Sequence, residues 1–431
     1  MSTRTVSAAV LILVLASSAA ARADINVAKS DQSELDIGAM AQGIALGQSV
    51  DDPYKNDDRV YLFMKEARLR MTGHHDDVRF RLELGLGGED AVVAPNPGIS
   101  LSLLDLTFEV PLLHSQTTYF KVGQFKVPYS REQLTYSGEM VFAERSIEEL
   151  GFDVGRDVGA AIVTRPGLVT VIGGVFAGGG RDIPPDHYLP EKIGFPLVAL
   201  RAGIGNLNED PFLLSQMPVP LDHTRGAFYV NGIFTRDSLV GHSTLLNVKL
   251  ADKSLLIDPD WNPFIARAPF AQGDWWQAGA DGAVHTPLGA YELGGEAEAE
   301  WAGYQNTYGV LHIGGARAQV SLSRGPVSVA ARYAFLAPDE KFAMNGVQIT
   351  GSGWIHEATA ALTWVINPEL KLIAEGQDLI DTPVFTEKDG PTGVGSYVGT
   401  ELPDETTILG KTGTVGRQNV LQGQVMLQAQ F

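Results

Sequence analysis

Arg68 and Arg70 stand two residues apart, as do Arg79 and Arg81, and Gly73-His74-His75-Asp76-Asp77 lies between the pairs. Both flanks alternate charged with apolar residues, Ala67, Leu69 and Met71 on one side and Val78, Phe80, Leu82 and Leu84 on the other. Period-2 alternation marks two strands and the polar turn makes them a hairpin, so one face gathers four guanidinium groups. Guanidiniums that close repel one another unless anions or carboxylates sit between them. The cluster therefore suits charge-assisted binding of an anion, or pairing with Glu66 and Glu83 of the same arms. A second comb, Glu292, Glu296, Glu298 and Glu300, alternates with Tyr291, Leu293, Ala297, Ala299 and Trp301.

Other chemistry is hard to find. Gly410-Lys411-Thr412 lacks the preceding glycine of a phosphate loop, because Glu405 stands there. The histidines of the 73–77 turn point apart and no closing metal ligands follow at the usual spacings. Asp51-Asp52 and Asp57-Asp58 lack the glycine and glutamate of a calcium loop. None of the nine histidines sits in a hydrolase signature. With no cysteine, disulfides and thiolate sites are excluded. The expectation is no enzyme, no cofactor, no metal and no nucleic-acid partner. A barrel-embedded hydrolase and an exported soluble β-sandwich binding protein are the competing classes.

The elements that position these residues begin with an address. Arg4, an apolar run from Ala8 to Ala16 and the small residues before Ala23 have the build of a secretory signal peptide, residues 1–23. Its loss takes Arg4 and Arg22 and moves the formal charge from -19 to -21. No later stretch is long and apolar enough for a spanning helix. Residues 24–431 read as one all-β domain, rich in glycine turns and without a linker.

Its strands suit a transmembrane antiparallel β-barrel of the outer membrane of a Gram-negative bacterium. The hairpin arms are long enough to cross a bilayer when tilted. Short connections at 165–167, 286–289, 323–326 and 367–369 alternate with long polar loops, notably 251–274 and 381–418, as barrel turns and external loops do. Trp275, Trp276, Trp301 and Trp364 suit interfacial girdles. The last segment alternates Leu421, Gly423, Val425, Leu427 and Ala429 with Gln422, Gln424, Gln428 and Gln430 before the terminal Phe431. It reads as the closing strand, pairing with an N-terminal strand near Leu35 and Ile37 so that no edge meets lipid. About seventeen strand candidates emerge, whereas a closed barrel with both termini on one side needs an even number. The misfit lies between Gly178 and Arg225. Counting Leu197 to Gly205 as external loop leaves sixteen strands, the preferred number; a hidden second strand gives eighteen. Either size encloses a water-filled channel.

One connection, residues 126–156, is far longer than a turn. It reads Gly123-Gln124-Phe125-Lys126-Val127-Pro128-Tyr129-Ser130-Arg131-Glu132-Gln133-Leu134-Thr135, then Phe142-Ala143-Glu144-Arg145-Ser146, and closes Gly155-Arg156-Asp157-Val158-Gly159. This resembles the phosphate-selective porin O and P family, whose members share a GQFK-x-P-[FY]-x-x-E-x-L-T run followed by F-x-E-R-S and G-R-D-x-G. The resemblance implies a trimeric outer-membrane porin of sixteen strands, with lipid and small hydrophilic solutes or ions as its partners. It also implies an inward-folded third external loop, with Lys126, Arg131, Glu132, Glu144 and Arg145 in or near the constriction. The motif residues Gln124, Phe125 and Pro128 have types that suit the shaping of the loop.

The loop's charge departs from a phosphate site. Lys126, Arg131, Arg145 and Arg156 face Glu132, Glu139, Glu144, Glu148, Glu149 and Asp153, a net of -2. An anion constriction would be enriched in donors. The acidic loop therefore argues for a general or cation-tolerant pore. Set against Arg68, Arg70, Arg79 and Arg81 on the wall, it would make a transverse field. The alternative is that these arginines pair with Glu66 and Glu83 and only support the wall.

Overall fold

The computed structural model describes residues 25–51, 56–88, 101–113, 115, 117–178, 195–205, 207, 210–218, 222–238, 273–306, 309–338, 341–344, 347–350, 354–387, 406–408 and 411–431. The expected signal peptide and residues 251–272, 388–405 and 409–410 of the two long loops lie outside them, while 381–387 and 411–418, expected as loop, continue the flanking strands.

Sixteen antiparallel strands close into a ring. In order they are Ser33–Asp51, Asn56–His75, Val78–Gly88, Ser102–Pro111, Thr118–Lys126, Arg156–Thr164, Val169–Phe176 and Leu197–Gly205, then Arg225–Ser238, Gly273–Leu288, Tyr291–Asn306, Gly309–Arg324, Val327–Pro338, Ile355–Asn367, Leu370–Glu387 and Lys411–Gln430. The last pairs with the first from Met40↔Gln430 to Asp51↔Asn419. Ala39 and Phe431 then exchange both backbone hydrogen bonds, at 2.7 and 2.9 Å. Closure gives every ring strand a neighbour on both sides, as hydrocarbon surroundings require.

Three expectations need correction. Leu197–Gly205 is a wall strand, with Leu197, Ala199 and Arg201 buried and Val198, Leu200 and Ile204 exposed. The count stays at sixteen with this strand included. The closing strand does not reach Leu35 and Ile37; those residues pair with Ala28 and Ile25 of Ile25–Lys29, a short strand outside the ring. The register is set farther along, where inward glutamines meet: Gln42 Nε2 donates to Gln428 Oε1 at 2.8 Å. Finally, Trp275 is buried in the lumen-side core and leaves the expected girdle. Trp301 and Trp364 do face outward, and Trp276 and Trp301 flank His312 with ring centroids about 6 Å away.

The alternation works as a sorting rule. Leu421, Val425 and Leu427 are exposed on the outer surface while Gln422, Gln424 and Gln428 are buried inside. Outward Val60 and Leu62, Phe228 and Val230, Leu362 and Ile366 extend the apolar belt around the wall. Tight turns at Asp76-Asp77, Gly289-Ala290 and Gly325-Pro326 gather at the end that also holds Phe431. The 127–155 connection enters from the other end.

Candidate functional site

The motif residues turn the chain inward. Gly123 has φ of +129°, and a Cβ there would lie 1.9 Å from the Leu106 carbonyl, so only glycine fits. Gln124 donates to the carbonyls of Leu103 and Leu104. Phe125 meets Phe176 and Phe212 edge-on at 5.3 and 5.5 Å. Lys126 donates to the carbonyls of Gln133 at 2.5 Å and Thr135 at 3.0 Å. At the exit Gly155 takes φ of +71°, and the Asp157 carboxylate accepts from the backbone of Val158 and Gly178.

Between these anchors the chain forms two short helices, Arg131–Leu134 and Ile147–Phe152, each capped by a serine hydroxyl, Ser130 on Gln133 N and Ser146 on Glu149 N. Tyr129, Leu134, Ile147 and Phe152 pack into one apolar cluster, and Val141, Phe142 and Ala143 into another with Ile44, Leu46, Ile373 and Met426 of the wall. Burying each large side chain contributes about 1.5–3 kcal/mol. The loop is therefore a packed part of the interior.

Its charges turn toward one wall. Glu132 is fully buried between Arg317 Nε at 3.3 Å and Arg332 Nη1 at 3.2 Å. Ser146 donates to it from both N and Oγ. Arg332 reaches Glu357 at 2.8 Å and lies over the Phe142 ring at 4.4 Å. Arg317 reaches Glu298 at 3.0 Å, and Glu298 accepts from the backbone N of Arg131 at 2.7 Å. Arg131 Nε and Arg201 share Asp281 at 3.0 and 2.6 Å. Burial pushes the Glu132 carboxyl up, but Arg317, Arg332 and Ser146 outweigh it and hold it below the usual carboxylate range. Glu148 goes the other way: burial, then Glu298, raise it well above that range despite Arg317. Glu149 is pushed up to about 8 by burial and then Asp153. Ser130 Oγ donates to it at 2.5 Å.

The hairpin wall is different. Arg68 pairs with Glu66 at 3.0 Å and Glu83 at 3.4 Å; Arg81 pairs with Glu83 at 2.5 Å and Asp105 at 3.3 Å; Arg156 joins them through Asp105 at 2.8 Å. Arg70 lies over the Tyr136 ring at 5.4 Å. Arg79 is exposed near the turn. Two cavities open along this side. One, of about 200 Å³, is lined by Arg79, Arg81, Lys121, Lys126 and Arg156 with Asp105, Glu109 and Asp210. The other, of about 180 Å³, is lined by Arg68, Arg70 and Glu139, and both share Tyr136 and Leu213.

Of the residues singled out in the sequence, Arg131, Glu132, Glu148 and Glu149 are enclosed at the far wall. Arg145 donates to the carbonyls of Glu132 and Thr135. Glu144 meets Lys65 at 2.8 Å. Lys65 was not anticipated: a register shift beside Gln42 and Gly43 turns it and Glu66 both inward, and a bulge breaks the alternation that would have revealed it. Arg317 and Arg332 were missed as well. Their signal was register, since Arg317 stands directly opposite Glu298 of the acidic comb.

A closed sixteen-strand ring with an inward loop is the architecture that porins share. Residues 40–186 match the family model described as phosphate-selective porin O and P. Among solved structures, the fold is similar to OmpF of Salmonella typhi, solved in complex with daunomycin (12% identity, 94% of this chain and 100% of that one, TM-score 0.50). It is also similar to the outer membrane channel DcaP of Acinetobacter baumannii (11%, 94% and 99%, 0.50) and to OmpT, an outer membrane protein of Vibrio cholerae (10%, 94% and 99%, 0.50). No curated protein matches the chain.

Proposed function

We propose that residues 24–431 form an outer-membrane porin for passive diffusion of small hydrophilic solutes, with a preference for anions, inorganic phosphate included. The observation that carries this is the division of charge. The loop's carboxylates Glu132, Glu148 and Glu149 are enclosed against the far wall, so its net of -2 does not face the open side. Two cavities on the hairpin side are lined by seven basic residues, Arg68, Arg70, Arg79, Arg81, Lys121, Lys126 and Arg156, against four side-chain carboxylates. An anion leaving water needs such donors. This reading departs from the cation-tolerant expectation, which counted loop charges without regard to where they point. Arg68 and Arg81 serve the wall and the passage together, because each keeps a carboxylate partner beside a cavity. Export through a signal peptide and assembly as a homotrimer, which the family resemblance implies, complete the reading; sizing of the detergent-extracted protein tests the trimer.

The deciding experiment is the reversal potential of single channels in a salt gradient, repeated with phosphate on one side. Anion preference with phosphate reducing chloride current is expected. Cation preference would overturn the proposal.

A further inference from the structure

The turn end of the barrel is closed mostly by tight turns, but the connection between Leu197–Gly205 and Arg225–Ser238 spans residues 206–224. Of its described residues, 210–218 do not stay at the rim. They rise into the lumen and join the inward loop, which comes from the opposite end. Leu214 N donates to Leu134 O at 3.2 Å, and Tyr136 N donates back to Leu214 O at 3.0 Å, a parallel bridge between Thr135 and Leu214. Gln216 N donates to Glu139 O at 2.9 Å, Ser215 Oγ to the Glu139 carboxylate at 3.0 Å, and Val141 N to Gln216 Oε1 at 3.3 Å.

The two ends of this segment are fixed on different walls. Phe212 is buried against Phe125, with Lys121 Nζ 4.5 Å above its ring. Gln216 Nε2 reaches Glu296 of Tyr291–Asn306 at 3.2 Å. The segment therefore crosses the lumen beneath the loop. Between its anchors Leu213 is only partly buried and, with Tyr136, lines both basic cavities.

We propose that residues 210–218 are a strap that forms a second constriction, with Leu213 and Tyr136 as the size-limiting pair on its basic side. The backbone bridge fixes the height of the inward loop, so one sliding element cannot widen the passage without unpairing the other. The apolar Leu213 edge sets width while the arginines around it set charge. A solute small enough to pass must shed little water there, whereas a larger hydrophilic one meets an edge that gives it no hydrogen bond. The proposal rests on the porin reading but is tested separately from its anion preference.

Because the chain has no cysteine, a strap-to-loop crosslink can be read cleanly. Thr135→Cys with Leu214→Cys, oxidised mildly in intact outer membranes, is expected to form a disulfide, since bridge partners have Cα atoms within the disulfide range. In bilayers and in liposome swelling with sugars of rising size, Leu213→Ala is expected to raise conductance and admit larger sugars, and Leu213→Trp to do the reverse. Heat-modifiable migration checks that each variant is a closed barrel. Failure of the crosslink in a closed barrel overturns the strap. A crosslink that forms, with sugar cut-off unmoved in both Leu213 variants, overturns its sizing role. A loss of ion preference alone touches neither.

Discussion

Two faces of the same lumen carry similar numbers of charges and use them differently. On the far wall, Arg317, Arg332, Glu298 and Glu357 are enclosed with the loop seated on them through Glu132. On the hairpin wall, Arg81 and Arg156 keep 12% of their side chains accessible beside open cavities. Enclosed pairs are costly to break, since removing one partner strands a charge where water cannot reach it. Pairs at an open face lose less and remain available to a passing ion. The far wall thus holds the loop, and the hairpin wall meets the solute.

The sharpest way to break this comparison is Arg317→Ala. It leaves Glu298 without its arginine partner and Glu132 with Arg332 alone, and losing one member of such a network costs about 3–5 kcal/mol. The loop is expected to leave its seat, with larger and noisier single-channel currents and a lower dissociation temperature; currents as quiet as the parent's would refute the seating role. Next comes Arg81→Gln with Arg156→Gln. Here the reversal potential should move toward cations while the barrel keeps its heat-modifiable migration, because Asp105 lines the open cavity and the enclosed Glu83 keeps Arg68 at 3.4 Å. An unmoved potential would place the passage elsewhere.

A smaller effect is a pH dependence of loop docking. Glu149 in the seated loop is surrounded by Ser130, Arg145, Asp153, Glu132 and Glu298, and its pKa is raised from 4.5 to about 8. The seated carboxyl keeps a proton that a released loop would give up. Docking is therefore strongest below pH 4.5, weakens as pH rises, and has lost this contribution above about pH 8. Glu148 shifts in the same direction. Current noise should rise across that window, and Glu149→Gln should flatten the rise; a slope unchanged by the substitution would assign the titration to another group.

Much of the barrel was legible because period 2 is a local signal. The Leu421 to Phe431 strand and the Arg59 to Leu86 hairpin each declare two faces without reference to anything distant. The resemblance located the inward loop, since its motif is local too: Gly123, Gln124, Phe125 and Lys126 all act on the turn they occupy. Direction was not legible. Whether Glu132 faces Arg68 or Arg317 depends on which wall the loop leans on, and that follows from the packing of Ile147, Phe152 and Phe142, residues with no charge to announce it. The strap was hidden for a similar reason. Pro211-Phe212-Leu213-Leu214 reads as an apolar stretch in a loop, and only its backbone pairing with Leu134 and Tyr136 shows where it goes.

The loop also touches the place where the first and last strands meet. Gln42 Nε2 donates to Ser137 O at 3.4 Å from one strand, and Gln428 Nε2 to Gly138 O at 3.0 Å from the other. Lys371 joins at 2.8 Å. The two glutamines are 386 positions apart, so their encounter is the slowest kind of contact to form in a chain. A hoop latched from within closes around its own contents, so the constriction is expected to guide the closing of the ring before any solute arrives. Gln42→Ala with Gln428→Ala should delay the appearance of heat-modifiable protein during refolding into detergent while the finished channel conducts much as before; an unaltered refolding rate would remove that role.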